Sequence, residues 1–323
     1  MKQRLLIISA VQWLNAVMRM DDAPLLGALN LKREHPPNLQ SHYSSPWGTT
    51  AWREDVPVRD RPHDLEAHSP WGLWTSRRLR KGHGPLEQGK YRTLAPKHMV
   101  QALLRGKDVH RLEVRTAVAF IIGPLLFVIG SVLLMSKLGS GAALLAIGSV
   151  FFTAGGWFQL EQALLVTRGL LNRKQRWGWC GIWCALTQSI GTVLFNIETF
   201  STWGLPTLNG APWLMLEVAP NILGSVLFVI SAIFGLLEVG HGRLFVIQPH
   251  HLGWWVAVVN ALGCLWFMQA AIAAIPVDLS IPAVLDPQVA IRATLLGALA
   301  FTAVGVLSLA ECSEDEVKSL NCI

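Results

Sequence analysis

GPLLFVIGSVLLMSKLGSGAALLAIGSVFF, residues 123–152, contains the reading that decides this chain. Two apolar runs flank Ser136-Lys137-Leu138-Gly139-Ser140-Gly141, in which Lys137 is the one charge and Gly139-Ser140-Gly141 is turn chemistry. Extended outward, the runs become apolar stretches near 116–135 and 141–165. Each has about the 20 residues an α-helix needs to cross roughly 30 Å of hydrocarbon. In lipid the backbone must satisfy its own hydrogen bonds, so stretches this long are helices and not strands. The segment is therefore a helical membrane hairpin.

Its pattern recurs twice. The first helix of each pair carries Gly-x-x-x-Phe, at Gly123/Phe127, Gly191/Phe195 and Gly263/Phe267. The second carries a Gly, then Ser or Ala, a Phe, and a Glu 13 or 14 positions after the Gly: Gly148-Ser149…Phe152…Glu161, Gly224-Ser225…Phe228…Glu238 and Gly297-Ala298…Phe301…Glu311. The glycines of the first helices, and those of the second, recur at nearly constant intervals. Self-similarity at a near-fixed period indicates one supersecondary unit copied and stacked. The expected fold is an all-α integral membrane protein with six transmembrane helices, arranged as three tandem helical hairpins (112–167, 177–240 and 251–311). The further apolar stretches lie near 178–199, 214–237, 252–275 and 290–310.

Charge divides the chain in two. Of 323 residues 52% are hydrophobic and 15% charged, against about 25% charged in a soluble globular domain. Residues 1–115 hold 19 of the 27 Lys and Arg, 11 of the 21 acidic residues and 9 of the 17 prolines, and none of the 12 phenylalanines. The positive-inside rule sets the orientation. Arg105, Lys107, Arg111 and Arg115 precede the first helix, Arg168, Arg173, Lys174 and Arg176 separate helices two and three, and Arg243 separates four and five. The opposite loops offer only Lys137 and Arg292. Both termini are expected in the cytoplasm, with the body in the cell (inner or plasma) membrane. Trp177, Trp179, Trp203, Trp213, Trp254 and Trp255 fall at the expected headgroup levels, where Trp anchors helices.

Residues 1–111 read as a basic, Pro/Trp-rich cytoplasmic region, largely disordered, and 312–323 as a short acidic cytoplasmic tail. Leu5–Val11 is too short an apolar core for a secretory signal and no small-x-small cleavage site follows. The stretch 1–20 therefore reads as a weakly anchored amphipathic helix. Met99 is an alternative natural start. Residues 21–97 lack a sustained period of 3.6 or 2, and segments such as REDVPVRDRPHDLEAH (53–68) are too polar to build a core. A front end of this kind is expected to be dispensable for folding. Ser-Pro-Trp-Gly occurs at 45–48 and 69–72, a turn sequence that either docks a protein partner through its Trp or recurs by chance. The cluster Arg77, Arg78, Arg80 and Lys81 suits anionic lipid or solvent rather than nucleic acid, for which no fold signature surrounds it.

LLFVIGSVLL (125–134) and LLAIGSVFF (144–152) resemble the YrhK-like domain of small, uncharacterised bacterial membrane proteins. The resemblance covers about residues 112–167; LFNIETF (194–200), ILGSVLFVISA (222–232) and LGCLWFMQAA (262–271) are similar to more divergent tandem copies. It implies fold and membrane location, and no activity or catalytic residue.

Two sets of residues invite assignment. Gly123, Gly130, Gly148, Gly191, Gly224, Gly263 and Gly297 suit helix packing, because membrane helices associate through close backbone approach at small residues. Glu161, Glu238 and Glu311 fall at one cytoplasmic level and form a candidate site for a cation or a basic partner segment, since ionisable groups in membrane helices are costly. The alternative is solvated interfacial acids paired with Arg168, Arg173 or Arg243. Asn196, Glu198 and Glu217 face outward near Trp203 and Trp213. Cys180 and Cys184 share a helix face without the further ligands a zinc site needs; His241, His250 and His251 lack helical register. No cofactor or metal is expected, and the chain lacks the nucleotide-binding, metalloprotease and hydrolase motifs of familiar enzymes. The expected role is structural or partner-binding, with the lipid bilayer and a protein partner for the N-terminal region. The alternative is a small channel or carrier for a cation or small solute. A carrier needs a mid-membrane polar site, for which Gln159, Gln188, Asn260 and Gln269 are scattered candidates.

Overall fold

A computed structural model describes residues 66–69, 72–75, 77, 112–171, 179–205, 208–240, 244–249, 251–278 and 283–320. All belong to the unit Thr50–Ile323. Two short strands, β1 (Glu66–Ser69) and β2 (Gly72–Thr75), pair antiparallel with Ser69 opposite Gly72. The first and last residues of the second Ser-Pro-Trp-Gly sequence thus close two paired strands, within a region expected to be largely disordered. The first copy lies outside the described residues, as do the stretch 1–20 and Met99.

Six helices long and apolar enough to cross a membrane follow. They are α1 (Leu112–Met135), α2 (Ser140–Leu171), α3 (Trp179–Gly204), α4 (Gly210–Val239), α5 (Leu252–Ala273) and α6 (Pro287–Leu320). α2 continues to Leu171 and α6 to Leu320. The acidic tail is helical to Leu320.

Local chemistry sets the helix ends. α1 stops where Lys137 takes a left-handed conformation (φ 59°), with Leu138 N–H bonded to Leu133 O and Lys137 N–H to Leu134 O, each at 2.9 Å. This 6→1 and 5→2 pattern satisfies carbonyls that the helix end would otherwise leave without partners. Asp286 caps α6: its Oδ1 accepts from the N–H groups of Gln288 (3.0 Å) and Val289 (2.9 Å), and Pro287 occupies the first turn, where a missing N–H costs nothing. In α4 the segment Leu214–Val218 widens to a π turn. Pro220 follows and has no N–H to give the carbonyl of Leu216, which removes one α-helical bond at this point. The strands β3 (Pro276–Asp278) and β4 (Ala283–Val284) pair antiparallel between α5 and α6.

Each helix packs on the next, and α6 returns to pack on α1, so the six close into a ring. The side chains are sorted inside out relative to a water-soluble bundle. Buried apolar positions are mostly Ala and Phe; among the described residues one leucine, Leu309, and no isoleucine is buried. Leu125, Ile129 and Val132 of α1, Leu223 and Val226 of α4, and Leu262 and Leu265 of α5 instead point outward. An apolar exterior this extensive suits lipid, in which large aliphatic side chains gain nothing by burial and small residues gain close packing.

The glycines make the seams. A Cβ on Gly123 would lie 2.9 Å from Gly148 O and 2.8 Å from the backbone N of Phe152, and one on Gly148 would lie 2.8 Å from Gly123 O. Gly191 and Gly224 face each other likewise, each under the other helix's phenylalanine: Phe228 Cε1 would be 2.8 Å from a Cβ on Gly191, and Phe195 Cδ2 3.0 Å from one on Gly224. Gly263 lies under Phe301 and Gly297 under Phe267 in the same way. Gly130 meets Gly141 across the turn of the first pair. Gly305, in α6, meets Ile121 of α1 and closes the ring.

Candidate functional site

The motif phenylalanines meet at the centre. Phe127, Phe152, Phe195, Phe228, Phe267 and Phe301, one from each helix, form a single buried cluster. Phe152 and Phe301 have centroids 5.1 Å apart, Phe195 and Phe267 5.2 Å, and Phe127 and Phe152 6.1 Å, mostly edge to face. Such pairs contribute about 0.5–1.5 kcal/mol each beyond their burial. Because each helix contributes its ring at the same level, the axis of the bundle is filled with hydrocarbon there.

Polar side chains inside the bundle bond to backbone carbonyls and to one another. Between α2 and α3, Ser149 Oγ donates to Asn196 Oδ1 (2.6 Å), Thr199 Oγ1 donates to Ser149 Oγ (2.9 Å), and Asn196 Nδ2 donates to Thr153 Oγ1 and to Ser149 O. Lower on the same seam Ser189 Oγ donates to Gly156 O at 2.7 Å. Between α3 and α4, Ser231 Oγ bonds Cys184 O (2.8 Å) and Gln188 Oε1 (3.2 Å). Asn196, expected at the outer surface, is thus buried in a helix seam. Gln188, one of the scattered mid-membrane candidates, lies in another.

The end of the bundle expected to face the cytoplasm has a different character. Glu238 is 1% exposed and Glu311 2% exposed, so neither is a solvated interfacial acid. Both stand 14 positions after the motif glycine of their helix, Gly224 and Gly297. Glu161 falls one position short of the equivalent place after Gly148 and is half-buried; the residue in the corresponding place is Gln162, which is buried. Gln162 Nε2 donates to Glu113 Oε1 across the α1–α2 seam at 3.2 Å. Beside this pair the Arg115 guanidinium lies 4.3 Å over the ring of Phe158.

Glu311 has a different partner. Arg77, from the segment after β2, donates from Nε to Oε1 (3.1 Å) and from Nη2 to Oε2 (3.0 Å). This is the bidentate fork that guanidinium and carboxylate make best. The approach passes over Gly253 at the start of α5, where a Cβ would lie 3.1 Å from Arg77 Cδ and Nε and 3.4 Å from Glu311 Oε1. Arg77, read from the sequence as suited to anionic lipid or solvent, is in the structure paired with the buried Glu311. Arg78, Arg80, Lys81, Arg173 and Arg243 lie outside the described residues, as does the side chain of Arg168.

At the opposite end, Glu217 in the π turn of α4 accepts from Ser201 Oγ at 3.4 Å and also bonds Thr202 and Trp213. Glu198 shares Thr202 and lies close enough to Glu217 to interact electrostatically. The π turn brings these two carboxylates, from consecutive helices, to one place. No group of three or more His, Cys, Asp or Glu that could hold a metal occurs among the described residues. Cys184 is buried against Ser231. His241 and His250 lie outside the described residues.

No family model, curated protein or solved structure matches the chain. The residues sequence reading missed are Gln162, Glu113, Gly253 and the partnership of Arg77. The offset of Glu161 by one position from the place held by Glu238 and Glu311 was the signal for Gln162. Nothing in the sequence indicates that an arginine so far ahead of Glu311 in the chain would reach it.

Proposed function

We propose that this is a multi-pass membrane protein with a structural or partner-binding role, not a conduit and not an enzyme. It spans the cell membrane six times as three divergent, YrhK-like helical pairs, with both termini in the cytoplasm. The observation that carries the reading is the plug of six phenylalanines at mid-bundle. A channel or carrier needs a wettable path or a mid-membrane polar site, and here the internal polar groups face neighbouring helices in the seams. The aliphatic exterior supports lipid as the surrounding medium, and the distribution of Lys and Arg supports the orientation. Arg78, Arg80 and Lys81 remain suited to anionic lipid.

Reconstitution into vesicles tests the reading. Potassium, sodium and proton leak should match that of protein-free vesicles. A leak abolished by Glu238→Gln or Glu311→Gln would instead support the channel reading. Cross-linking in native membranes followed by mass spectrometry should return one recurrent membrane or cytoplasmic partner; recovery of cross-links only within this chain would leave a purely structural role.

A further inference from the structure

Val239 ends α4 and Leu252 begins α5, and twelve residues separate them. α4 packs on α5, and neighbouring helices of a bundle ordinarily need only about two to eight residues to connect. Within this connection exposure alternates along residues 244–249: Phe245, Ile247 and Pro249 are exposed, while Leu244, Val246 and Gln248 are partly covered. That is the period of an extended chain, in which alternate side chains share a side. Phe245 is 93% exposed and Ile247 82%, above every other large apolar side chain among the described residues. The outward Leu, Ile and Val side chains of the helices reach 56%, at Leu265.

Two indoles hold this stretch against the start of α5. Trp254 Nε1 donates to Val246 O at 2.6 Å and Trp255 Nε1 to Pro249 O at 2.9 Å, and the two rings meet edge to face with centroids 4.9 Å apart. Trp255 is 44% exposed and precedes Leu262, 49% exposed, by two helical turns. Residues seven apart lie on one face of a helix, so the stretch is tied at Pro249 to the outward face of α5. Trp settles at the headgroup level of a membrane because its ring is apolar and its N–H needs a partner. Here both N–H groups are taken by the backbone of the stretch, which sets that backbone at the depth of the indoles. We infer that residues 244–249 form an interfacial wedge, with Phe245 and Ile247 seated among the lipid headgroups and upper acyl chains beside α5. The inference rests on the reading that the helices cross a membrane. Apolar side chains that meet little of their own protein are removed from water there, and such an anchor fixes the depth of the α4–α5 end in one leaflet.

Photo-crosslinking of the full chain tests this, with p-benzoylphenylalanine placed singly at positions 245, 247, 248 and 265. Phe245 and Ile247 are too exposed for their replacement to disturb the fold. Each variant is reconstituted into vesicles of phosphatidylethanolamine and phosphatidylglycerol, irradiated, and read by mass spectrometry for phospholipid adducts. Position 265, on the outward face of α5, reports whether the helices lie in lipid. Adducts at 265, 245 and 247, with none at 248, are expected. Adducts at 265 without any at 245 or 247 would overturn the wedge and leave the membrane reading standing. Absence of adducts at all four positions would overturn both. Equal yields at 247 and 248 would remove the alternation on which the wedge depends, and the wedge with it. In native membranes position 245 should again capture phospholipid; capture of a second protein in its place would make the stretch a protein-docking ridge and end the lipid assignment.

Discussion

At the scale of single residues, the costs concentrate where side chains approach backbone or enter unusual conformations. Lys137 holds a left-handed backbone that disfavours any side chain with a Cβ by about 1 kcal/mol or more. Lys137→Gly should therefore stabilise the protein by about 1 kcal/mol, read as a shift in an SDS or thermal unfolding midpoint; a loss of stability would show that the lysine side chain contributes more than its strain costs. Gly123 presents the opposite case. A side chain there meets backbone N at 2.8 Å and backbone O at 2.9 Å on α2, which cannot relax by a rotamer change, so Gly123→Leu should cost at least about 1–3 kcal/mol. The same substitution at Gly139, with nothing within 4 Å, should cost far less, and similar losses at both sites would remove the packing explanation. The sequence identified the seven packing glycines by type and spacing. It did not show that in the second and third pairs the motif phenylalanine of each helix fills the space beside the glycine of the paired helix, because that pairing depends on the antiparallel register of two helices.

Between elements, the helices are joined by two kinds of seam, and they should respond differently to mutation. α2 and α3 share a run of hydrogen bonds centred on Asn196, whereas Asn260 on α5 reaches only Cys264 Sγ, at 3.8 Å on its own helix. Side-chain hydrogen bonds between membrane helices contribute about 0.6 kcal/mol on average and up to about 1.7. Asn196→Ala should lie at the upper end of that range, since it removes the bonds to Ser149 and to Thr153 together. Asn260→Ala should change stability by no more than a few tenths of a kcal/mol. Equal effects of the two substitutions in steric-trap or SDS unfolding would mean that the seam's hydrogen bonds are matched by equivalent ones in the unfolded state. From the sequence Asn196 looked outward-facing with Glu198, because both precede the Trp203 loop. Residues two apart on a helix point in directions about 200° apart, and one of them had to face a neighbour; which neighbour was a tertiary matter.

At the scale of the whole molecule, reporter fusions after positions 137, 172, 208, 246, 284 and 318 should alternate outside and inside, beginning outside. An outside reporter at 172 would reverse the orientation inferred from the basic residues. The front end offers a second test. Its polar, aperiodic composition predicts that it can be removed without loss, yet Arg77 is bonded to Glu311. A version beginning at Met99 should still insert but lose stability, because a buried charge loses its partner at a cost of about 3–5 kcal/mol. Glu311→Gln should restore most of it, and a truncated protein as stable as the full chain would show that the ion pair contributes nothing net. The helix count, the apolar exterior and the inward glycines and phenylalanines were legible because hydrocarbon thickness and the need for internal backbone hydrogen bonds act on every residue of a stretch, so composition and period reveal them. Closure of the ring of α6 on α1, the filling of its axis and the amide and guanidinium partners of Glu113 and Glu311 were not. These depend on contacts between residues far apart in the chain, such as Arg77 with Glu311, where the single missing side chain at Gly253 decides which partner can reach a charge that cannot stay buried alone.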